Sequence, residues 1–503
     1  MSLLPSLDHP RIVQLNGRAA VRRAAGTLDA IVVAVREDAG ERVFDELPEP
    51  ARWRDLRARS PVRPGDVRTS TLANARQTLA VLGFLRTKAA PFETLSLAGR
   101  LLKETAARRP TTLGLFAPGG TADSLDALLQ AALAHAFTLP SFRTKPASRD
   151  RLRSIALPGD AGVELRYANV SSRANNLARW LTALPPNKLD AVSYRRLIGT
   201  LARERRISMR WLDEATLRRL GANAFLAVSA GNAQRTAGIA HLRYRPRKRS
   251  AARSPAVALV GKGILFDTGG TNLKAHRAML DMHTDMAGSA VALSTLLALA
   301  ELRAQFAADA WLAITENRTG PQAYRPQDVV RAANGVTIQV VHTDAEGRMV
   351  LADTLALAAR TRPRFMIDFA TLTGAAVHAL TERMSAVFTN RPGLEAQLIS
   401  AGRASGERVW SFPFDADYDS DLESKVADVL QCTVEGKGDH ILAARFMNRF
   451  VPKETPWAHV DLASAVRSGG LGHVGTDITG FGVRYTLELL LRQKILDSLG
   501  ASA

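Results

Sequence analysis

The chain has 503 residues, 46% hydrophobic and 23% charged, an ordinary globular composition with material for two or three domains at ~100–200 residues each. No run approaches the ~18 unbroken apolar residues of a membrane span, and the single cysteine, Cys432, excludes an intrachain disulfide, which fits a reducing compartment. The formal charge of +19 is the unusual number.

The opening residues, Met1-Ser2-Leu3-Leu4-Pro5-Ser6-Leu7-Asp8, lack a basic stretch leading into an apolar one, so no signal peptide is expected. Residues 1–160 read as one α/β unit. Ala30–Val35 and Thr112–Phe116 are strand-like, and Ala73–Leu85 and Asp123–Ala136 carry helical apolar spacing. Pro118-Gly119-Gly120 marks a turn, and the polar stretch from Ser141 to Arg151, with Pro146, reads as linker. Residues 165–503 alternate strand and helix. Ala256–Val260, Ala310–Ile314, Thr337–Val341, Phe365–Phe369 and Trp457–Leu462 are strand-like, with helices at Met286–Leu302 and Met349–Ala359. That alternation predicts a largely parallel sheet covered on both faces, with a site at the carboxyl ends of its strands.

Arg243, Arg245, Arg247, Lys248, Arg249 and Arg253 cluster just before this region. Two readings stand: a patch for nucleic acid or another polyanion, or a solvated loop between strands. No aromatics interleave with the run and no nucleic-acid-binding motif accompanies it, which favours the loop.

The common catalytic signatures H-E-x-x-H, G-x-S-x-G and the Walker phosphate loop are absent, and one cysteine cannot build a finger-type zinc site. What remains is a set of lysines and carboxylates just beyond apolar strands. Lys262 and Asp267 follow Val260, Asp285 opens the next helix, and Asp344, Glu346 and Arg348 follow Val341. If the strands are parallel neighbours, these groups share one sheet edge. Four carboxylates cannot crowd together ionised without compensation, and divalent cations on oxygen ligands are the natural compensation. A lysine joins such a site only as the neutral amine. Taken singly, Asp285 is more often a helix N-cap than a ligand, Asp344 with Glu346 and Asp353 reads as a capped turn into a helix, and Gly269-Gly270 as a plain tight turn.

Taken jointly, the segments resemble the leucyl (cytosol) aminopeptidase family. They are Val260-Gly261-Lys262-Gly263-Ile264-Leu265-Phe266-Asp267-Thr268-Gly269-Gly270 with Leu273-Lys274, Met282-His283-Thr284-Asp285-Met286-Ala287-Gly288, and Thr343-Asp344-Ala345-Glu346-Gly347-Arg348-Met349. Glu316-Asn317, Ala323-Tyr324-Arg325-Pro326, Ala370-Thr371-Leu372-Thr373-Gly374 and Pro185-Pro186-Asn187 add to it, so the similarity runs from about residue 165 to 490. The resemblance implies a smaller N-terminal α/β domain and a larger αβα catalytic domain with a mixed, mostly parallel sheet. It implies a cytoplasmic homohexamer that removes apolar, leucine-like residues from peptide N-termini. Position by position, it makes Lys262, Asp267, Asp285, Asp344 and Glu346 the ligands of two ions, manganese or zinc with magnesium as a further candidate. Asp267 and Glu346 would bridge. Lys274 and Arg348 match the catalytic positions, Arg348 with a bound bicarbonate. Met282, Thr371 and Gly374 match the wall of the pocket for the first side chain. The chain departs from the family pattern at His342, where Asn is usual, at Ala275, where Pro is usual, and at Ser464, where Gly is typical. His342 adds a titratable group beside the metal positions. Two other functions are set against the peptidase: a nucleic-acid-binding or architectural role through the basic surface, and a structural role with a dead site. Retention of all seven metal and catalytic positions argues against the second.

Overall fold

The computed structural model describes residues 3–145, 152–159, 162–246 and 254–499. The end of the expected linker (146–151) and four members of the basic run, Arg247, Lys248, Arg249 and Arg253, lie outside the described residues. The chain divides into two compact units. One is Ser6–Asn176 with Ser468–Thr479. The other is Met1–Pro5, Leu177–Arg467 and Gly480–Ala503.

The first unit holds strands β1 (Arg11–Leu15), β2 (Ala30–Arg36), β3 (Val67–Thr71), β4 (Leu79–Leu85), β5 (Thr112–Phe116) and β6 (Ser154–Pro158), in the spatial order β1-β6-β5-β2-β4-β3. All neighbours are parallel except β3 with β4. The helix expected over Ala73–Leu85 is not there: its second half is β4. That strand, Leu-Ala-Val-Leu-Gly-Phe-Leu, is buried on both faces, so its apolar run is continuous and carries no period that separates strand from helix. The late segment Ser468–Thr479 packs tightly into this unit. A Cβ placed on Gly99 would lie 2.7 Å from the Gly472 carbonyl oxygen, and the Asn175 amide donates to the Thr479 carbonyl at 3.2 Å.

The second unit holds an eight-stranded sheet. Its strands are β7 (Ser208–Asp213), β8 (Gly238–Tyr244), β9 (Val257–Asp267), β10 (Ala308–Asn317), β13 (Phe365–Ala370), β14 (Ser385–Thr389), β15 (Val409–Ser411) and β17 (Trp457–Asp461). Their order is β15-β14-β17-β13-β9-β10-β8-β7, and the central four, β17, β13, β9 and β10, are parallel. A separate three-stranded sheet joins β11 (Val329–Arg331), β12 (Thr337–Gln339) and β16 (Val429–Leu430). The strand expected over Thr337–Val341 therefore exists only as short β12 and lies outside the main sheet. The neighbours of β9 are β10 and β13.

Helix Ala287–Leu302 is apolar on nearly every face and lies in the core, with every residue from Ala287 to Leu299 buried. It starts hard against the sheet because two glycines meet there. A Cβ on Gly288 would fall 2.0 Å from the Phe369 carbonyl oxygen, and one on Gly261 would fall 2.6 Å from the Gly288 carbonyl oxygen. Helix Glu346–Ala359 is buried along its whole length. Asp353 sits in its middle rather than in a capped first turn. Its carboxylate accepts backbone N–H bonds from Phe225 at 2.8 Å and Ala333 at 2.7 Å.

Candidate active site

Strand β9 carries Lys262 within its length and Asp267 at its end. The chain then turns through Gly269 and Gly270, both with positive φ, and the Gly269 N–H donates to Asp267 Oδ1 at 2.9 Å. A short 3-10 turn, Met282–Thr284, ends on Asp285. Asp344 lies in the turn before helix Glu346–Ala359, and Glu346 is that helix's first residue. Thr371 and Gly374 follow β13. Lys262, Asp267, Lys274, Met282, Asp285, Asp344, Glu346, Thr371 and Gly374 line one cavity of about 350 Å³. Arg348 is not among its lining residues.

The charges are tightly interleaved. Lys262 Nζ lies 2.8 Å from Asp285 Oδ1, 2.9 Å from Glu346 Oε1, and donates to the Thr371 carbonyl at 2.9 Å. Lys274 Nζ lies 2.9 Å from Asp267 Oδ2 and 2.5 Å from Asp344 Oδ1. Burial opposes the Lys262 ammonium, but Asp285, Glu346 and Asp267 overcome it and hold its pKa above the usual value. Lys274 is raised in the same way, by Asp267 and Asp344 against burial. Burial pushes Glu346 up to about 8, with Asp267 adding to it and Lys262 opposing it. Burial likewise pushes Asp285 up to about 6 against the pull of Lys262. Lysine as a neutral ligand is thus not the resting state here. The carboxylates alone favour the ammonium, and cationic charge in the cluster is what would favour the free amine.

These residues fit divalent cations. Four carboxylates face two ammonium groups, which leaves two negative charges uncompensated when all are ionised. One oxygen each of Asp267, Asp344 and Glu346 lies within 4.8 Å of the others. Asp285 Oδ2 and Glu346 Oε2 are buried without a hydrogen-bond partner, a costly arrangement unless something cationic meets them. Gly347 leaves the room: a Cβ there would stand 2.7 Å from Lys262 Nζ.

Bicarbonate at Arg348 does not fit the structure as it stands. The buried guanidinium already holds Asp439, with Nη2 at 2.8 Å from Oδ1 and 2.7 Å from Oδ2, and Nη1 donates to the Gln431 carbonyl at 3.2 Å.

Supporting residues emerge that motif reading did not single out. The Asn317 amide, at the end of β10, donates to Asp267 Oδ1 at 2.8 Å and to the Thr343 carbonyl at 3.0 Å. The Thr343 hydroxyl donates to the Gly269 carbonyl at 2.6 Å and accepts from the Asn272 N–H at 2.8 Å, joining the two ligand-bearing loops. Gln431 Oε1 accepts from the Val341 and His342 N–H groups, and its amide donates to the Ala345 carbonyl, each at 3.0 Å. Asp461, ending β17, accepts from the Leu372 N–H at 3.0 Å and the Thr373 hydroxyl at 2.6 Å. It thereby fixes the turn from which the Thr371 hydroxyl reaches Asp285 Oδ1 at 2.7 Å. Asn317 stands in the Glu316-Asn317 segment, and Asp461 lies near the end of the strand-like run Trp457–Leu462. Position after a strand end was the available signal.

His342 is exposed, and its Nδ1 accepts the Asp344 N–H at 3.2 Å, so it caps the turn that presents Asp344. Ser464 is buried and its N–H donates to the Ser385 hydroxyl. Ala275 precedes the short helix His276–Met279. Of the two described members of the basic run, Arg245 pairs with Asp309 at 2.6 Å and Arg243 donates to the Ser208 hydroxyl at 3.3 Å.

Residues 176–487 match the cytosol aminopeptidase family, catalytic domain. A probable cytosol aminopeptidase of Synechococcus sp. is 34% identical over 499 residues, covering 97% of this chain and 99% of the relative. Among solved structures, the bottromycin maturation enzyme BotP in complex with Mn superposes with a TM-score of 0.80 at 29% identity, covering 93% of this chain and 100% of that one. A tomato leucine aminopeptidase variant superposes with a TM-score of 0.83 at 26% identity, covering 97% and 98%. The chain belongs to the cytosol aminopeptidase family and is a peptidase, a hydrolase of the aminopeptidase type.

Proposed function

We propose that this protein cleaves single apolar residues from peptide N-termini with the help of two divalent cations, manganese, zinc or magnesium. Lys262, Asp267, Asp285, Asp344 and Glu346 would hold them, Asp267 and Glu346 serving both, Lys262 and Asp285 one, and Asp344 the other. The observation that carries the reading is the excess of buried carboxylate oxygen, two atoms of it unpartnered, in a single cavity. When bound, such ions supply Lewis acidity and bring the pKa of water toward neutrality.

The chain's own residues do the rest. The Lys274 ammonium, less buried than Lys262, would bond the scissile carbonyl and stabilise the oxyanion that develops on it. The neutral α-amine of an unblocked N-terminus would find its acceptor in one of those ions, which supports exopeptidase action. Met282, Leu372, Val377 and the Cβ-free Gly374 give the same cavity an apolar side, which supports a leucine-like first residue. Asn317, Thr343 and Asp461 hold the loops that bear these groups. Assembly as a homohexamer belongs to the same reading and is checked by light scattering.

The test is release of a chromogenic leaving group from leucine anilide with added manganese, for the wild type and Glu346→Ala. The expected outcome is wild-type turnover that chelator abolishes, and a loss on the order of a thousandfold or more in the variant. A metal-loaded wild type that cleaves no amino-acid anilide would sink the reading.

A further inference from the structure

This chain holds both terminal nitrogens of Arg348, while its Nε is buried without a hydrogen-bond partner. Its side chain is 2% exposed, its Nη2 contacts both carboxylate oxygens of Asp439, and its Nη1 contacts the Gln431 carbonyl. A guanidinium offers a planar anion two bidentate edges, Nε with Nη2 and Nη1 with Nη2. Nη2 belongs to both edges, and Asp439 occupies it. Neither partner is a passing contact. Asp439 opens helix Asp439–Asn448, where the helix N-terminus favours a carboxylate. Gln431 is locked by its side chain to Val341, His342 and Ala345, the turn that presents Asp344. A dissolved anion taking either bidentate edge of Arg348 would have to displace a charge-assisted pair whose guanidinium is buried and whose carboxylate is 23% exposed.

We propose that Asp439 is the resident anion of Arg348, standing where family resemblance implies bicarbonate, and that the peptidase activity of this chain does not draw on dissolved bicarbonate. Asp439 is then a positioning residue: it fixes Arg348, two residues beyond Glu346 on the same helix. The inference rests on the aminopeptidase reading, with Arg348 at a catalytic position.

The experiment compares the manganese-loaded wild type with Asp439→Ala and Asp439→Asn on leucine anilide, in buffer sparged of carbon dioxide and then titrated with bicarbonate or formate. Binding of 13C-bicarbonate to the metal-free proteins is followed in parallel by NMR. The wild type is expected to change less than about twofold across the titration and to show no saturable bicarbonate binding. Asp439→Ala is expected to lose about 10–100-fold in sparged buffer, to regain most of it with either anion, and to bind bicarbonate. Stimulation of the wild type by tenfold or more, or an Asp439→Ala variant as active as wild type in sparged buffer, overturns the proposal. The wild-type arm needs no variant, so misfolding of one leaves the test standing, and Asp439→Asn keeps the side-chain shape while removing the charge. An inactive wild type overturns the aminopeptidase reading instead. The bicarbonate-binding arm then decides this proposal alone: binding by the wild type overturns it, and binding only by Asp439→Ala supports it.

Discussion

Asn317 shows how much of this site depends on side chains that are not themselves charged. Its amide holds Asp267 Oδ1 and the Thr343 carbonyl at once, so it sets the angle at which the carboxylate enters the cluster. Asn317→Ala should weaken manganese affinity and turnover by about 10–100-fold with little change in fold, measured by calorimetric titration beside anilide kinetics. Gly347→Ala should act more locally, by pressing a methyl group onto Lys262 Nζ. It is expected to lower metal affinity while leaving the urea midpoint close to wild type. Nine of the ten residues singled out from the sequence meet in one cavity, because they lie within β9, at its end, or in the segments that follow β9, β12 and β13, and apolar strands are readable. Arg348 is the tenth, and its partner Asp439 was not legible. That contact joins residues 91 apart, through a loop with no period to announce it.

At the scale of elements, the close seam between helix Ala287–Leu302 and the sheet is the most demanding feature. Gly288→Ala would set a methyl group 2.0 Å from the Phe369 carbonyl, and backbone cannot rotate away as a side-chain end can. A loss of about 3 kcal/mol or more is expected in urea unfolding, with loss of activity since the same helix follows Asp285. Asp353 ties helix Glu346–Ala359 to two neighbouring backbone segments. Asp353→Ala leaves one buried and one half-buried N–H group without acceptors and should cost about 2–5 kcal/mol by the same measurement. The parallel core was readable because doubly covered strands are short apolar runs between helices. The same property hid β4, whose run matched helix and strand templates alike. Strand β12 was read as a member of the main sheet because nothing local tells a strand which sheet it will join. The site forms all the same, since the turn after β12 is carried back to Asp267 by Thr343 and Asn317.

For the whole molecule, buried carboxylates outside the site set a pH trend. Burial pushes Glu407 up to about 7, although the Tyr485 and Gly482 N–H groups bond it and pull the other way. Its folded value lies above the unfolded one of 4.5. Its stabilising share is therefore full below about pH 4.5 and fades as pH climbs through 7, a difference on the order of 3 kcal/mol. Glu407→Gln removes the titration. The unfolding free energy of wild type minus variant should fall from pH 5 to pH 8, and a flat or rising difference would contradict this assignment. Asp29, lowered by its Thr111 and Thr112 bonds despite burial, works in the opposite sense and only toward acid.

Ser468–Thr479 completes a unit whose other residues, Ser6–Asn176, leave the ribosome some three hundred positions earlier. The early segment must therefore wait, exposing the groove beside Gly99 and the amide of Asn175, until nearly all of the polypeptide has been translated. Vectorial synthesis cannot finish this protein domain by domain. A nascent chain stalled before residue 468, or a fragment cut there, should be a client for chaperones rather than an independently stable piece.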